Sequence, residues 1–210
     1  MQSIPRPTPR RTQRLSRRSF LLLALMLVTA VLVATLAALL ERRSVAGAVA
    51  RIQVAQGSAE ALAPGSPAWQ AVANGLPIVP GTRLRTDERG YLLLDFGGQA
   101  AVELQPGAEI VVERIDRAAE TPVLQVRQHA GTVGYRAGDA LEIEVLTPLA
   151  MATAREATFS AAIGPSYQLR VVSLAGKTVV LAQGVAVAVD SGERVVVEPG
   201  QPPRPDRNPS

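Results

Sequence analysis

Two hydrophobic patterns divide this chain. From Phe20 to Leu40 every residue except Thr29 and Thr35 is apolar, and 21 residues at about 1.5 Å rise each span roughly the 30 Å hydrocarbon layer of a bilayer. This predicts one membrane-crossing helix over 20–40. Beyond residue 44 no long helical periodicity remains, and short apolar-polar alternations are separated by glycine. In "LEIEVL", Leu141, Ile143 and Val145 would face a core while Glu142 and Glu144 face water. "TRLRT" does the same around Leu84, and "VLQVRQ" around Leu124 and Val126. Such alternation marks half-buried antiparallel strands.

Glycines 176, 184, 192 and 200 recur every eight residues around "KTVVLA", "VAVAV" and "ERVVVEP", a spacing that suits a short strand plus a tight turn. The predicted fold is therefore all-β, an antiparallel meander or stacked-rung β-sandwich or solenoid-like domain, following one N-terminal transmembrane helix. The expected organisation is a disordered basic cytoplasmic tail over 1–19, the membrane helix over 20–40, and a linker over 41–49. The β domain then fills 50–200, and a disordered Pro-rich tail follows over 201–210. "AWQAVANG" at 68–75 is the one stretch expected to form a short helical turn.

Charge orients this arrangement. Before residue 44 the chain has eight Arg against one Glu, a surplus of +7 within a net charge of +4, so the remainder carries −3. The basic surplus on the N-terminal side of the apolar run keeps that end in the cytoplasm and places residues 44–210 outside. A second reading competes. Arg17 and Arg18 lie in "SRRSFL", which resembles the twin-arginine export motif, and Ala46-Gly47-Ala48 has the small-x-small form that a signal peptidase accepts, with Ala46 and Ala48 as the small residues. The chain is then exported and released. The apolar run exceeds the 7 to 15 residues usual in a signal peptide, which favours the anchor.

Composition narrows the chemistry. With no cysteine and one histidine, His129, the exterior domain can build neither a disulfide framework nor a thiolate or His-rich zinc site. Its negative charge and scarce aromatics remove the cationic footprint and stacking platform that nucleic-acid binding needs. No serine lies in a G-x-S-x-G elbow. Asp95-Phe96-Gly97 spells a kinase tripeptide but lacks the accompanying loops, and reads as a strand end and a turn. Glu142 and Glu144, about 7 Å apart on one strand face, have the separation of two glycosidase carboxylates, although alternating charge on a solvated face explains them, and likewise Glu103, Glu109 and Glu113. Trp69 reads as a core plug under an apolar turn. No catalytic residue, cofactor or metal is expected.

The run "WQAVANGLPIVPGTRLRTDERGYLLLDFGGQAAVELQPGAEIVV" resembles the core of the FecR-like extracytoplasmic domain. The likeness is carried by Trp69, Gly75, Gly81, Leu84-Arg85-Thr86, the strand Tyr91 to Phe96, Gly97-Gly98-Gln99, and Leu104 followed by Pro106-Gly107. It continues through "HAGTVGY", "EVLTPLAMATAREATFSAAI" with Pro148 and Phe159, "LAGKTVVLAQG" and "EPGQ", covering roughly 50–201. The resemblance implies a membrane-anchored all-β exterior domain engaged in protein contacts. In the family's best-known members that domain passes a signal about outer-membrane transport inward to a sigma factor. Those members have a sigma-binding segment longer than residues 1–19 and a further transducer module, and Ala157-Thr158-Phe159 stands where the family has Gly-Thr-x-Phe, so the sigma role is not expected to carry over intact.

The expectation is a single-pass, non-enzymatic envelope protein, membrane-bound by one helix, that recognises an envelope protein or ligand through a strand edge or loop. The alternatives are an exported scaffold without signalling, or a hydrolase of envelope polymers using Glu142 and Glu144.

Overall fold

A computed structural model describes residues 49–116 and 118–206. The expected membrane helix over 20–40, together with Arg17, Arg18, Ala46 and Ala48, lies outside the described residues. Those described form fifteen strands: β1 (Ala50–Gln56), β2 (Ala59–Leu62), β3 (Gln70–Ala71), β4 (Pro77–Ile78), β5 (Thr82–Thr86), β6 (Tyr91–Asp95), β7 (Ala100–Leu104) and β8 (Glu109–Asp116) come first. They are followed by β9 (Val123–Ala137), β10 (Glu142–Leu146), β11 (Met151–Ile163), β12 (Leu169–Ala182), β13 (Val185–Asp190), β14 (Arg194–Val197) and β15 (Arg204–Pro205).

All fifteen belong to one hydrogen-bonded network, more strands than a twisted sheet holds without curling or splitting. This network folds over along three long strands. The N-terminal half of β9 pairs with β8 and, in parallel, with β10, whereas its C-terminal half pairs with β7 and β11. β11 likewise joins β10 at its start and β9 at its end. β12 meets β14 first and β13 last. One layer therefore runs β4-β1-β6-β7-β9-β11-β12-β14-β15, and the other β3-β2-β5-β8-β9-β10-β11-β12-β13. The architecture is a two-layer sandwich with shared strands, mixed rather than purely antiparallel because of the β9–β10 pair.

Each shared strand switches the parity of its buried residues where it changes layer. β9 buries Leu124, Val126 and Gln128, then Val133, Tyr135 and Ala137. β11 buries Ala152 and Ala154, then Ala157, Phe159 and Ala161. β12 buries Leu169, Val171 and Ser173, then Thr178, Val180 and Ala182. An odd number of extra residues is needed at every switch, which is what a β-bulge supplies. On β11 and β12 the switches are adjacent: register breaks between Arg155 and Thr158 on β11, where Glu156 has φ +48° and Gly176 of β12 has φ +71°. A Cβ on Gly176 would sit 2.4 Å from the Glu156 carbonyl oxygen, so that crossing requires glycine.

The buried halves of both layers share one core cluster. Tyr135 and Phe159, opposite one another on β9 and β11, stack at 5.0 Å between ring centroids. The Tyr135 hydroxyl donates to Gln128 Oε1 at 3.0 Å, and Gln128 Nε2 donates to the carbonyls of Gly131 (2.8 Å) and Ala161 (3.0 Å). The amide of Gln128 thus spends both donors and its acceptor on the bend of β9 and the backbone of β11, satisfying a fully buried polar side chain.

Three local expectations are corrected. No helix occurs among the described residues: 68–75 holds β3 between turns, because Glu60 and Ala61 of β2 take Ala71 and Gln70 as strand partners. Trp69 is not in the core cluster. The Pro-rich tail is ordered through Asp206: β15 pairs with β14, Pro203 is buried, and Asp206 meets Arg170 at 3.0 Å.

Burial raises the ionisation of Tyr135 well above its ordinary value of 10.0, so the folded protein holds that proton after the unfolded chain has lost it. Its contribution to stability is complete below pH 10 and falls as pH rises past 10, at about 1.4 kcal/mol per pH unit. Tyr135→Phe is expected to lower stability at pH 7 by about 1–3 kcal/mol, since Gln128 Oε1 loses its donor, and to make the alkaline fall shallower. Denaturant titrations at pH 7, 9 and 11 measure both effects.

Candidate binding surfaces

The carboxylates considered for catalysis lie on open strand faces. Ile143 and Val145 of β10 are fully buried, which turns Glu142 and Glu144 outward. Glu144 Oε2 accepts from Gln125 Nε2 at 2.9 Å across the parallel pair, and neither glutamate lines any of the described hollows. His129 is exposed on β9. Among the described residues, no three His, Asp or Glu side chains gather where they could hold a metal ion. Phe96 is buried, while Asp95 Oδ1 accepts from the Gly98 N–H at 3.0 Å, which makes the Asp-Phe-Gly stretch a strand end and a turn.

The motif residues make structural contacts, each in its own part of the fold. Thr86 is buried at the end of β5, where its hydroxyl donates to the Gln105 carbonyl at 2.7 Å and accepts from the Ala108 N–H at 3.0 Å. It therefore clamps the turn containing Pro106-Gly107, whose Gly107 N–H also reaches the Asp87 carbonyl at 2.9 Å. Gly75 and Gly81 have φ of +82° and +83° and donate to the carbonyls of Ile52 and Val112, tying their loops to β1 and β8. Pro148 is exposed in the β10–β11 turn, which Thr147 closes through its hydroxyl to Ala150 (2.8 Å). Phe159 is the core partner of Tyr135.

The outward side of the second layer is charged over much of its width. Glu60 on β2 meets Arg85 on β5 at 2.6 Å, Arg83 meets Glu109 on β8, and Glu113 meets Arg127 on β9 at 2.6 Å. Trp69 lies half-buried over this ladder, with the guanidinium carbons of Arg85 and Arg83 at 4.1 and 5.8 Å from its ring centroid. The indole is thus a cation–π cover on paired arginines. Toward β13 the same side becomes apolar: Met151 faces Leu181, which faces Ala186, and Val179 faces Ala188.

The outward side of the first layer carries a hollow of about 280 Å³, lined by Tyr91, Leu93, Ala101, Gly134 and Leu174 with Glu103 and Arg136 beside them. Gly134 leaves its floor open, and Leu174 is 59% exposed. Burial, then the charge of Glu103 and hydrogen bonding to it, raise the Tyr91 ionisation. Sequence alternation missed the hollow because Leu174 stands at the parity switch of β12, where Ser173 is buried and Leu174 exposed, the reverse of what their polarity suggests.

No family model matches the chain, and no curated protein matches it. Among solved structures it is similar to one described as a "putative anti-sigma factor" from Parabacteroides distasonis, with a TM-score of 0.50 and 13% identity. A second structure of that description from the same organism has a TM-score of 0.48 at 15% identity. In each case the match covers 59% of this chain and 58% of the other, so this chain spans less than two thirds of the length of the proteins it matches. The first likeness is one of fold.

Trp69 is the only tryptophan, so its emission reports the ladder directly. Arg85→Ala is expected to shift that emission to the red and to cost no more than about 1 kcal/mol, the scale of an exposed cation–π contact and surface ion pair. Unchanged emission would show that the arginine does not cover the ring in solution.

Proposed function

We propose that the chain is a single-pass envelope protein, anchored by residues 20–40 with its N-terminus in the cytoplasm, whose FecR-like exterior domain binds a protein partner without catalysis and takes part in signalling. The observation that carries this reading is the hollow on the first layer. An exposed leucine and apolar walls share the hollow with one acidic and one basic side chain, which suits an apolar side chain of a protein accompanied by complementary charges. The fold likeness to an anti-sigma factor supports a regulatory role. The contacts joining Trp69, Leu84-Arg85-Thr86 and Pro106-Gly107 support the family resemblance, since residues separated in sequence meet through β5.

A photoreactive residue in place of Leu174, in the full chain in its native host, is expected to form one discrete protein adduct that sediments with membranes. Gly134→Val should reduce that adduct at least tenfold by filling the floor of the hollow. The variant is compatible with the fold, because a Cβ there meets nothing closer than 3.5 Å and valine suits a strand. No adduct, or an adduct indifferent to Gly134→Val, would overturn the reading.

A further inference from the structure

Four strands of the described network pair on one side only: β3, β4, β13 and β15. Three of them are two residues long, and Pro77 and Pro205 occupy two of those. Such shortness and proline blunt a sheet edge against pairing with another chain. β13 has neither protection. It is six residues, V-A-V-A-V-D, and its one charge, Asp190, is engaged by Lys177 at 3.2 Å. The Gln183–Gly184 turn has φ of +50° and +74° and joins Ala182 to Val185, the two-residue hairpin turn that makes these flanking residues a hydrogen-bonded pair. Alternation then directs the N–H and C=O groups of Val185, Val187 and Val189 toward β12, and those of Ala186 and Ala188 away from it.

We propose that this edge pairs with β13 of a second copy of the chain, antiparallel and centred on Val187. The stretch Val185–Val189 reads the same in both directions, so every position meets its like: Val187 faces Val187, Val185 faces Val189, and Ala186 faces Ala188. The outward-directed groups of Ala186 and Ala188 then exchange four hydrogen bonds with the second copy. Valine meets valine on the inner side, a favourable cross-strand pairing, and no like charges are opposed. Both sides of the strand gain cover. Val185, 44% exposed at the rim of the core, and Leu181, 36% exposed on the outer side, are drawn toward the junction. A two-fold axis normal to the sheet also joins the apolar ends of the two outer faces, leaving the charged ladders at the far ends. This pairing uses a different surface from the hollow on the first layer, so failure of either leaves the other standing.

The absence of cysteine allows a direct test in the full chain in native membranes. Val187→Cys is expected to give a disulfide-linked dimer under mild oxidation, since residues of a non-hydrogen-bonded antiparallel pair lie about 4.5 Å apart at Cα, within disulfide range. Val185→Cys should give at least tenfold less, as the two copies of that position are separated by about 13 Å, four strand steps. Adding Ala186→Lys with Ala188→Lys opposes lysines across the junction and should abolish the dimer; Ala186→Lys with Ala188→Glu opposes unlike charges and should restore it. The cooperative unfolding of each variant, followed by Trp69 emission, verifies that it is folded. No dimer from Val187→Cys in folded protein, equal yields at 185 and 187, or a Lys/Glu variant no better than Lys/Lys would each overturn the pairing.

Discussion

A strand can bury only every second side chain on a given side, and a chain that serves two layers must break that alternation once at each crossing. β9, β11 and β12 do so, and the rest of the domain depends on those breaks. Without them the second half of each strand would turn its apolar set to water. The cost is local. The crossings carry irregular register and left-handed backbone at Glu156 and Gly176. It is offset by specific contacts, chiefly the Tyr135–Gln128 network beside the bend of β9 and the Tyr135–Phe159 stack between the shared strands.

The same crossings give the molecule unlike outer surfaces. The second layer joins strands whose outward residues alternate in charge, from Glu60 to Arg127, and these neutralise one another under Trp69. The first layer leaves Gly134 between Leu93 and Leu174 and so forms a hollow. Because β13 and β14 return along opposite halves of β12, β13 is left as the outermost strand of its layer. The faces and edges that this scaffold offers are therefore set by which side chains the parity switches turn outward.

Much of the local structure was legible in the sequence. "TRLRT" and "LEIEVL" alternate as written, since pleat period is a property of neighbouring residues, and the eight-residue glycine spacing marks positive-φ positions at 176, 184, 192 and 200. What lay hidden depends on distant partners. Gly176 reads as a turn glycine but sits within β12, because its meaning is set by the Glu156 carbonyl on the neighbouring strand. Trp69 reads as core because tryptophan is large and apolar, yet two arginines on β5 offer it a place on the surface. Pro203 and β15 read as disordered tail from composition alone, although pairing with β14 orders them. The hollow around Gly134 and Leu174 combines five strands and a parity switch, an arrangement that no local window contains.

If the shared strands make one body of the two layers, neither can open alone. Native-state hydrogen exchange on the full chain measures this most directly, by comparing Ala152 and Ala154 at the start of β11 with Phe159 and Ala161 at its end. All four amides are expected to exchange through one global opening with a common free energy and common denaturant dependence. Exchange of one pair at a free energy several kcal/mol below the other, with a smaller denaturant dependence, would mean that the layers are separate units and that the crossings do not hold the fold together.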